Sequence, residues 1–303
     1  MLASQTEPPS ITSVNGIDLC YQSFGDPTHP TILLIMGLGT QMIAWDELFC
    51  AQLAGRGFRV IRFDNRDIGK STWLDHLDVP NPMALLAKAA IGLKPKVPYT
   101  LADMAADGVG LLDALGIAKA HVVGASMGGM IGQVMAISHP DRLLSFTSIM
   151  STTGNPKLPS AKPQAAAMLI AKPAHNETDY LAFYRKLMTT LRAGDFPEDE
   201  AQDDTRGLAA WRRGYHPAGS ARQLAAIIAS GDRTEALKGV RVPTLVIHGR
   251  IDPLVPVEGG IATAEAIPGA KLLLIERMGH AFPLSTWGTV VSAIADHVHA
   301  NPR

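Results

Sequence analysis

Residues 121–143 read HVVGASMGGMIGQVMAISHPDRL. The apolar, partly β-branched run Ala120–Val123 predicts a strand. Met127–Ser138 predicts a helix that stops ahead of Pro140, because proline disfavours helix at the residue before it. Between them lies Gly124-Ala125-Ser126-Met127-Gly128, a Gly-x-Ser-x-Gly in a strand–turn–helix setting. A sharp turn there strains the central residue, and small flanking residues let neighbouring backbone approach it. A glycine-rich turn with Ser126 merely capping the helix is the alternative, so the surrounding chain must decide.

Outward from this stretch, Thr31–Ile35, Arg59–Phe63, Leu144–Met150, Thr244–Ile247 and Lys271–Ile275 are further short apolar runs separated by helix-period segments. That alternation predicts βα units and an α/β fold with a mostly parallel sheet. Ser10–Val14 and Asp18–Phe24 flank Asn15-Gly16, a strong two-residue hairpin signal, so an antiparallel pair leads the sheet. Trp287, Val290, Val291, Ile294 and Val298 share one helical face at the C-terminal end. The spacing breaks between Met150 and Thr244, an interval far longer than a crossover of about a dozen residues needs. Inside it Asn176 can cap a helix carrying Tyr180, Phe183, Tyr184, Leu187, Met188 and Leu191, with Gly194 as its stop. Residues 155–215 are therefore expected to form an all-helical insertion in a core built from 1–154 and 216–303. Roughly 216–240 would hold the returning crossover helix. Trp73–Pro98, Pro-rich at both ends around Met83–Leu93, is a second, smaller insertion; long insertions of this kind are usually lids or binding segments.

A serine hydroxyl needs a base to attack a carbonyl, and the base needs a carboxylate to orient it. Of 10 histidines, His29, His139 and His216 precede prolines, His297 and His299 lie on the terminal helix, and His121 and His248 sit in or beside strands. His280 stands apart in a Gly-bearing loop just past Lys271–Ile275. Asp252 occupies the equivalent place after Thr244–Ile247, in a turn stiffened by Pro253 and Pro256. Asp64 and Asp67 also follow a strand, but precede Ser126 in the chain and are expected to fix a turn. The oxyanion donors are expected to be the backbone N–H groups of Met127 and of Leu38, the latter in the loop Met36-Gly37-Leu38-Gly39. Ser126, Asp252, His280 and Leu38 each follow the carboxyl end of a different strand, the edge of a parallel sheet where ligands bind. Their chain order, Ser then Asp then His, matches a nucleophile-elbow hydrolase.

Composition narrows the field. Lys+Arg 27 against Asp+Glu 28, with no long single-sign run, argues against nucleic acid as a partner. Cys20 and Cys50 alone cannot make a disulfide framework or a zinc site. No metal or other cofactor is expected. No leader is visible in MLASQTEPPS, and no stretch approaches the ~20 apolar residues that cross a bilayer, so a cytoplasmic protein without membrane contact is expected. Oligomeric state stays open.

VGASMGGM, VPTLVIHGRIDPLVP and ERMGHAFP together resemble an α/β-hydrolase fold serine hydrolase over essentially the whole chain. LLIMGLGTQMIAW and VIRFDNRDIGKST resemble its bacterial aclacinomycin methylesterase-like and carboxylesterase branch. The resemblance implies an eight-stranded sheet with helices on both faces and a helical cap after the sixth strand. It also implies Ser126 as nucleophile, Asp252 as orienting acid, His280 as base then acid, and Leu38 with Met127 as oxyanion hole. Many relatives have His-Gly before the oxyanion residue; here Met36 replaces that histidine. Met168, Phe183, Met188, Trp211 and Tyr215 are candidate pocket walls, or else the cap's own small core. The expected activity is hydrolysis of neutral, fairly hydrophobic short to medium acyl esters through an acyl-enzyme. Alternatives on the same triad are a tailoring methylesterase, thioesterase, carbon–carbon bond hydrolase or perhydrolase; a ligand sensor is the alternative of another class.

Overall fold

The computed structural model describes residues 6–302 except 92, 94, 194, 197 and 198. Eight strands form one sheet: β1 (Ser10–Val14), β2 (Ile17–Phe24), β3 (Thr31–Ile35), β4 (Arg59–Phe63), β5 (Ala120–Ala125), β6 (Leu143–Ile149), β7 (Thr244–Gly249) and β8 (Lys271–Ile275). Their spatial order is β1-β2-β4-β3-β5-β6-β7-β8. β2 runs antiparallel to both β1 and β4, whereas β4, β3, β5, β6, β7 and β8 are parallel. Asn15 (φ 50°) and Gly16 (φ 77°) are both left-handed, as a two-residue hairpin loop between right-twisted strands requires. β6 ends at Ile149, one residue earlier than the apolar run suggests, because Met150 turns to φ 43°.

The central strands β3 and β5 are buried along their whole length, so they read as mostly apolar runs, interrupted only by Thr31 at the start of β3 and by His121, bonded to Ser145 Oγ, in β5. Leu33 and Ile35 point into one core, with α3 (Leu101–Ala114) and α4 (Met127–Ser138). Ile32 and Leu34 point into the other, with α1 (Glu47–Ala54) and α11 (Trp287–His299), the last helix after α10 (Val257–Ala266) and β8. The period-2 alternation of a strand makes these two cores from one segment. On α11, Trp287, Val290, Val291, Ile294 and Val298 are all buried, the face its periodicity indicates.

Between β6 and β7 stand α5 (Pro163–Leu169), α6 (Glu177–Leu191), α7 (Glu200–Gly214), α8 (Pro217–Ser230) and the short α9 (Thr234–Leu237). Asn176 caps α6 by accepting from the Asp179 N–H at 2.9 Å. The stop assigned to Gly194 lies outside the described residues. α6 and α7 are locked by Arg192 and Asp203, both buried, in a two-pronged pair at 3.0 and 2.7 Å. The smaller insertion carries α2 (Pro82–Ala90), which lies against α8. Among the described residues no helix is long and apolar enough to cross a membrane.

Candidate active site

β5 delivers its chain end to Ser126, which takes φ 54° and ψ −118° before α4 begins. This left-handed conformation is costly for a non-glycine residue, of order 1–3 kcal/mol, and it holds only where the surroundings enforce it. They do so by close approach. A Cβ on Gly124 would stand 2.1 Å from the Gly128 carbonyl oxygen, and one on Gly128 would stand 2.1 Å from that of Ile35. Only hydrogen fits at either position. The Ser126 N–H donates to Ile149 O at 2.9 Å, and Ser151 Oγ donates to Ser126 O at 2.8 Å, fixing the turn from the β6 side.

Asp252 follows β7. Its Oδ1 accepts the backbone N–H groups of Leu254 and Val255, both at 2.8 Å, which orients the carboxylate. Its Oδ2 lies 2.7 Å from His280 Nδ1, and His280 Nε2 lies 2.9 Å from Ser126 Oγ. A carboxylate only accepts, so Nδ1 carries the proton and Nε2 is left to accept the serine O–H. Burial pushes the Asp252 carboxyl up, but His280 and His248 beside it more than offset that and bring it down to about 2. It is a fixed negative charge. His280 itself is anchored by its backbone N–H, which donates to Leu191 O at the end of α6, at 2.7 Å.

The loop after β3 closes the other side of the serine. A Cβ on Gly37 would stand 3.1 Å from Ser126 Cβ and 3.6 Å from its Oγ. Among the described residues, neither the Leu38 N–H nor the Met127 N–H meets an acceptor. Both N–H groups are thus free to donate, one on the residue after Gly37 and the other on the residue after Ser126.

The alpha/beta hydrolase fold family model matches residues 30–285. The chain belongs to that family. This hydrolase is 29 % identical over 320 residues to rhodomycin D methylesterase DauP of Streptomyces sp. (strain C5), covering 97 % of this chain and 99 % of that one. It is 28 % identical over 314 residues to rhodomycin D methylesterase DnrP of Streptomyces peucetius, with coverage of 97 % and 99 %. Among solved structures, the enol-lactonase from Burkholderia xenovorans LB400 superposes with a TM-score of 0.71 at 26 % identity, covering 95 % of this hydrolase and 99 % of that chain.

Met36, in the place where the family resemblance leads one to expect histidine, offers no side-chain hydrogen bond. Asn65, from the strand end after β4, holds the loop there by donating to Met36 O at 3.0 Å. Asp64 and Asp67 do fix turns, accepting the Lys70 N–H at 2.9 Å and the Leu74 N–H at 2.7 Å. They also reach far along the chain. Arg213 of α7 bonds Asp64, and Arg222 of α8 grips both oxygens of Asp67 at 2.8 Å. Of the candidate pocket residues, Trp211 and Tyr215 form an aromatic cluster with Tyr180, with centroids 4.8–5.4 Å apart. Met168 sits on α5, and Phe183 and Met188 on α6, all partly exposed. His248, set aside in the sequence, is fully buried with Nε2 2.8 Å from Val255 O and 3.5 Å from Asp252 Oδ2. A carbonyl requires a donor, so Nε2 carries hydrogen and its dipole also faces the carboxylate. Its place four residues before Asp252, on the same strand end, is the signal that marks it.

Proposed function

We propose that the protein is a serine carboxylic-ester hydrolase working through an acyl-enzyme on neutral, fairly hydrophobic short to medium acyl esters. The observation that carries this reading is one imidazole hydrogen-bonded at 2.7 Å to Asp252 and at 2.9 Å to Ser126 Oγ. In this reading His280 Nε2 takes the hydroxyl proton as Ser126 Oγ attacks the ester carbonyl. Asp252 keeps Nδ1 protonated and stabilises the imidazolium that forms. The N–H groups of Leu38 and Met127 hold the oxyanion. The imidazolium then protonates the leaving alcohol, and water repeats the sequence on the acyl group. Residues 155–215 serve as the cap over this site, on a core of 1–154 and 216–303. The preference for neutral substrates rests on the aromatic and methionine content of α5–α7. Replacing Ser126 by alanine should lower kcat on a p-nitrophenyl ester by about 10^6-fold; normal turnover in Ser126→Ala would refute the assignment.

A tailoring methylesterase is the second reading. It is favoured by the two full-length relatives named as rhodomycin D methylesterases. Comparing methyl esters of bulky polycyclic acids with short acyl esters of p-nitrophenol separates the two by kcat/KM.

A further inference from the structure

Four polar groups around the Leu38 N–H are tied down. Met36 O accepts from Asn65 Nδ2 at 3.0 Å, and Gly37 O accepts from the Thr40 N–H at 3.3 Å. Leu38 O accepts from Thr40 Oγ1 at 3.0 Å. The Gly39 N–H donates to Gln223 Oε1 at 2.9 Å. Gln223 in turn donates through Nε2 to Arg66 O at 2.8 Å, so both ends of its amide are used. Gln223 is 0 % exposed and Asn65 2 %. The Leu38 N–H is left without an acceptor among the described residues. Gly39, at φ 65°, also lies close enough to Ser220 that a Cβ there would stand 2.9 Å from its Oγ, so α8 shapes the loop from one side.

From this pattern we infer that Gln223, assisted by Asn65, is a positioning residue for the oxyanion donor. Gln223 fixes the Leu38–Gly39 peptide plane against Arg66, and Asn65 fixes the Met36–Gly37 plane, so the intervening amide points at the space beside Ser126 Oγ. The two clamps meet on successive residues, Asn65 and Arg66, beyond β4. Because Gln223 lies on α8, the helix that returns from the insertion, the geometry of the oxyanion hole depends on that helix keeping its seat. The inference rests on the ester-hydrolase reading above and adds to it a residue that touches no reacting atom.

Gln223→Met keeps the side chain's length and removes both hydrogen bonds. Rates are measured on a p-nitrophenyl ester and expressed per site titrated with a fluorophosphonate. The expected result is a fall in kcat of about 10- to 100-fold with KM within about twofold, the size of effect a small misplacement of a catalytic group produces. Affinity for a trifluoromethyl ketone, which forms a tetrahedral oxyanion on the serine, should fall by a similar factor. Gln223→Glu, which can still accept from the Gly39 N–H, should recover part of the kcat. Unchanged kcat per titrated site, with only a lower melting temperature, would overturn the inference and leave Gln223 a structural residue. Should Gln223→Met not fold, Asn65→Ala is read by the same criteria. Ser126→Ala is run in parallel. Lost turnover there with unchanged kcat in Gln223→Met overturns this inference alone, whereas retained turnover in Ser126→Ala overturns the hydrolase reading and this inference with it.

Discussion

Asp252 is the residue whose environment says most about the site. A carboxyl brought to about 2 is ionised throughout the range above about pH 4, so there it holds the His280 tautomer without itself titrating. Asp252→Asn should lower kcat about 10^4-fold, since the amide can turn an N–H toward Nδ1 and favour the wrong tautomer. The same shift has a consequence for stability. An unfolded aspartate ionises near 3.9, so the folded group lies lower, and its contribution is present above about pH 4 and lost as pH falls through about 2. That contribution is about 2 kcal/mol. Urea unfolding of Asp252→Asn should therefore vary less steeply between pH 4 and 2 than that of the parent; equal slopes would contradict the assignment. Ser126, Asp252 and His280 were legible in the sequence because each lies within five residues of the end of a run that looks like a strand. Asn65, Gln223 and His248 were not. Their roles lie in hydrogen bonds to backbone, and Gln223 meets Gly39 across a separation of 184 residues, which no local pattern reveals.

At the scale of elements, the turn between β5 and α4 is shaped by what cannot fit. Gly128→Ala places a methyl 2.1 Å from Ile35 O, a backbone atom that cannot swing aside. We expect a loss of about 1–3 kcal/mol or more in urea unfolding, together with reduced kcat as β3 and α4 separate and shift Ser126 against the Leu38 loop. A parent-like midpoint would contradict the packing. α6 contributes in another way, since its terminal carbonyl at Leu191 receives the His280 N–H. Strand positions were legible because central parallel strands are apolar on both faces. The ends were less so: β5 runs on through Gly124 and Ala125, small residues that carry little strand signal but pair with Ser148 and Ile149 of β6. For Trp211 and Tyr215, helical periodicity gives the inward face and not what lies beyond it, so the sequence left pocket wall and helix core equally open.

For the whole molecule, the sheet order brings β3, β5, β7 and β8 to one edge with their carboxyl ends together, and the site is assembled there from four separate loops. The helices between β6 and β7 are tied to that edge by arginines. Arg222 and Asp67 are both buried, and removing one partner strands the other in the interior. Arg222→Met should cost about 3–5 kcal/mol in urea unfolding, and adding Asp67→Asn should cost much less than a second independent loss. Additive effects would show that the pair does not act as a unit. The most direct measurement of all is peptide mass spectrometry on protein treated with a fluorophosphonate. One phosphonyl group on the peptide carrying Ser126, appearing in step with the loss of ester turnover, is the expected result. Full turnover by protein completely labelled at Ser126, or inactivation with the label elsewhere, would contradict a serine nucleophile at this site.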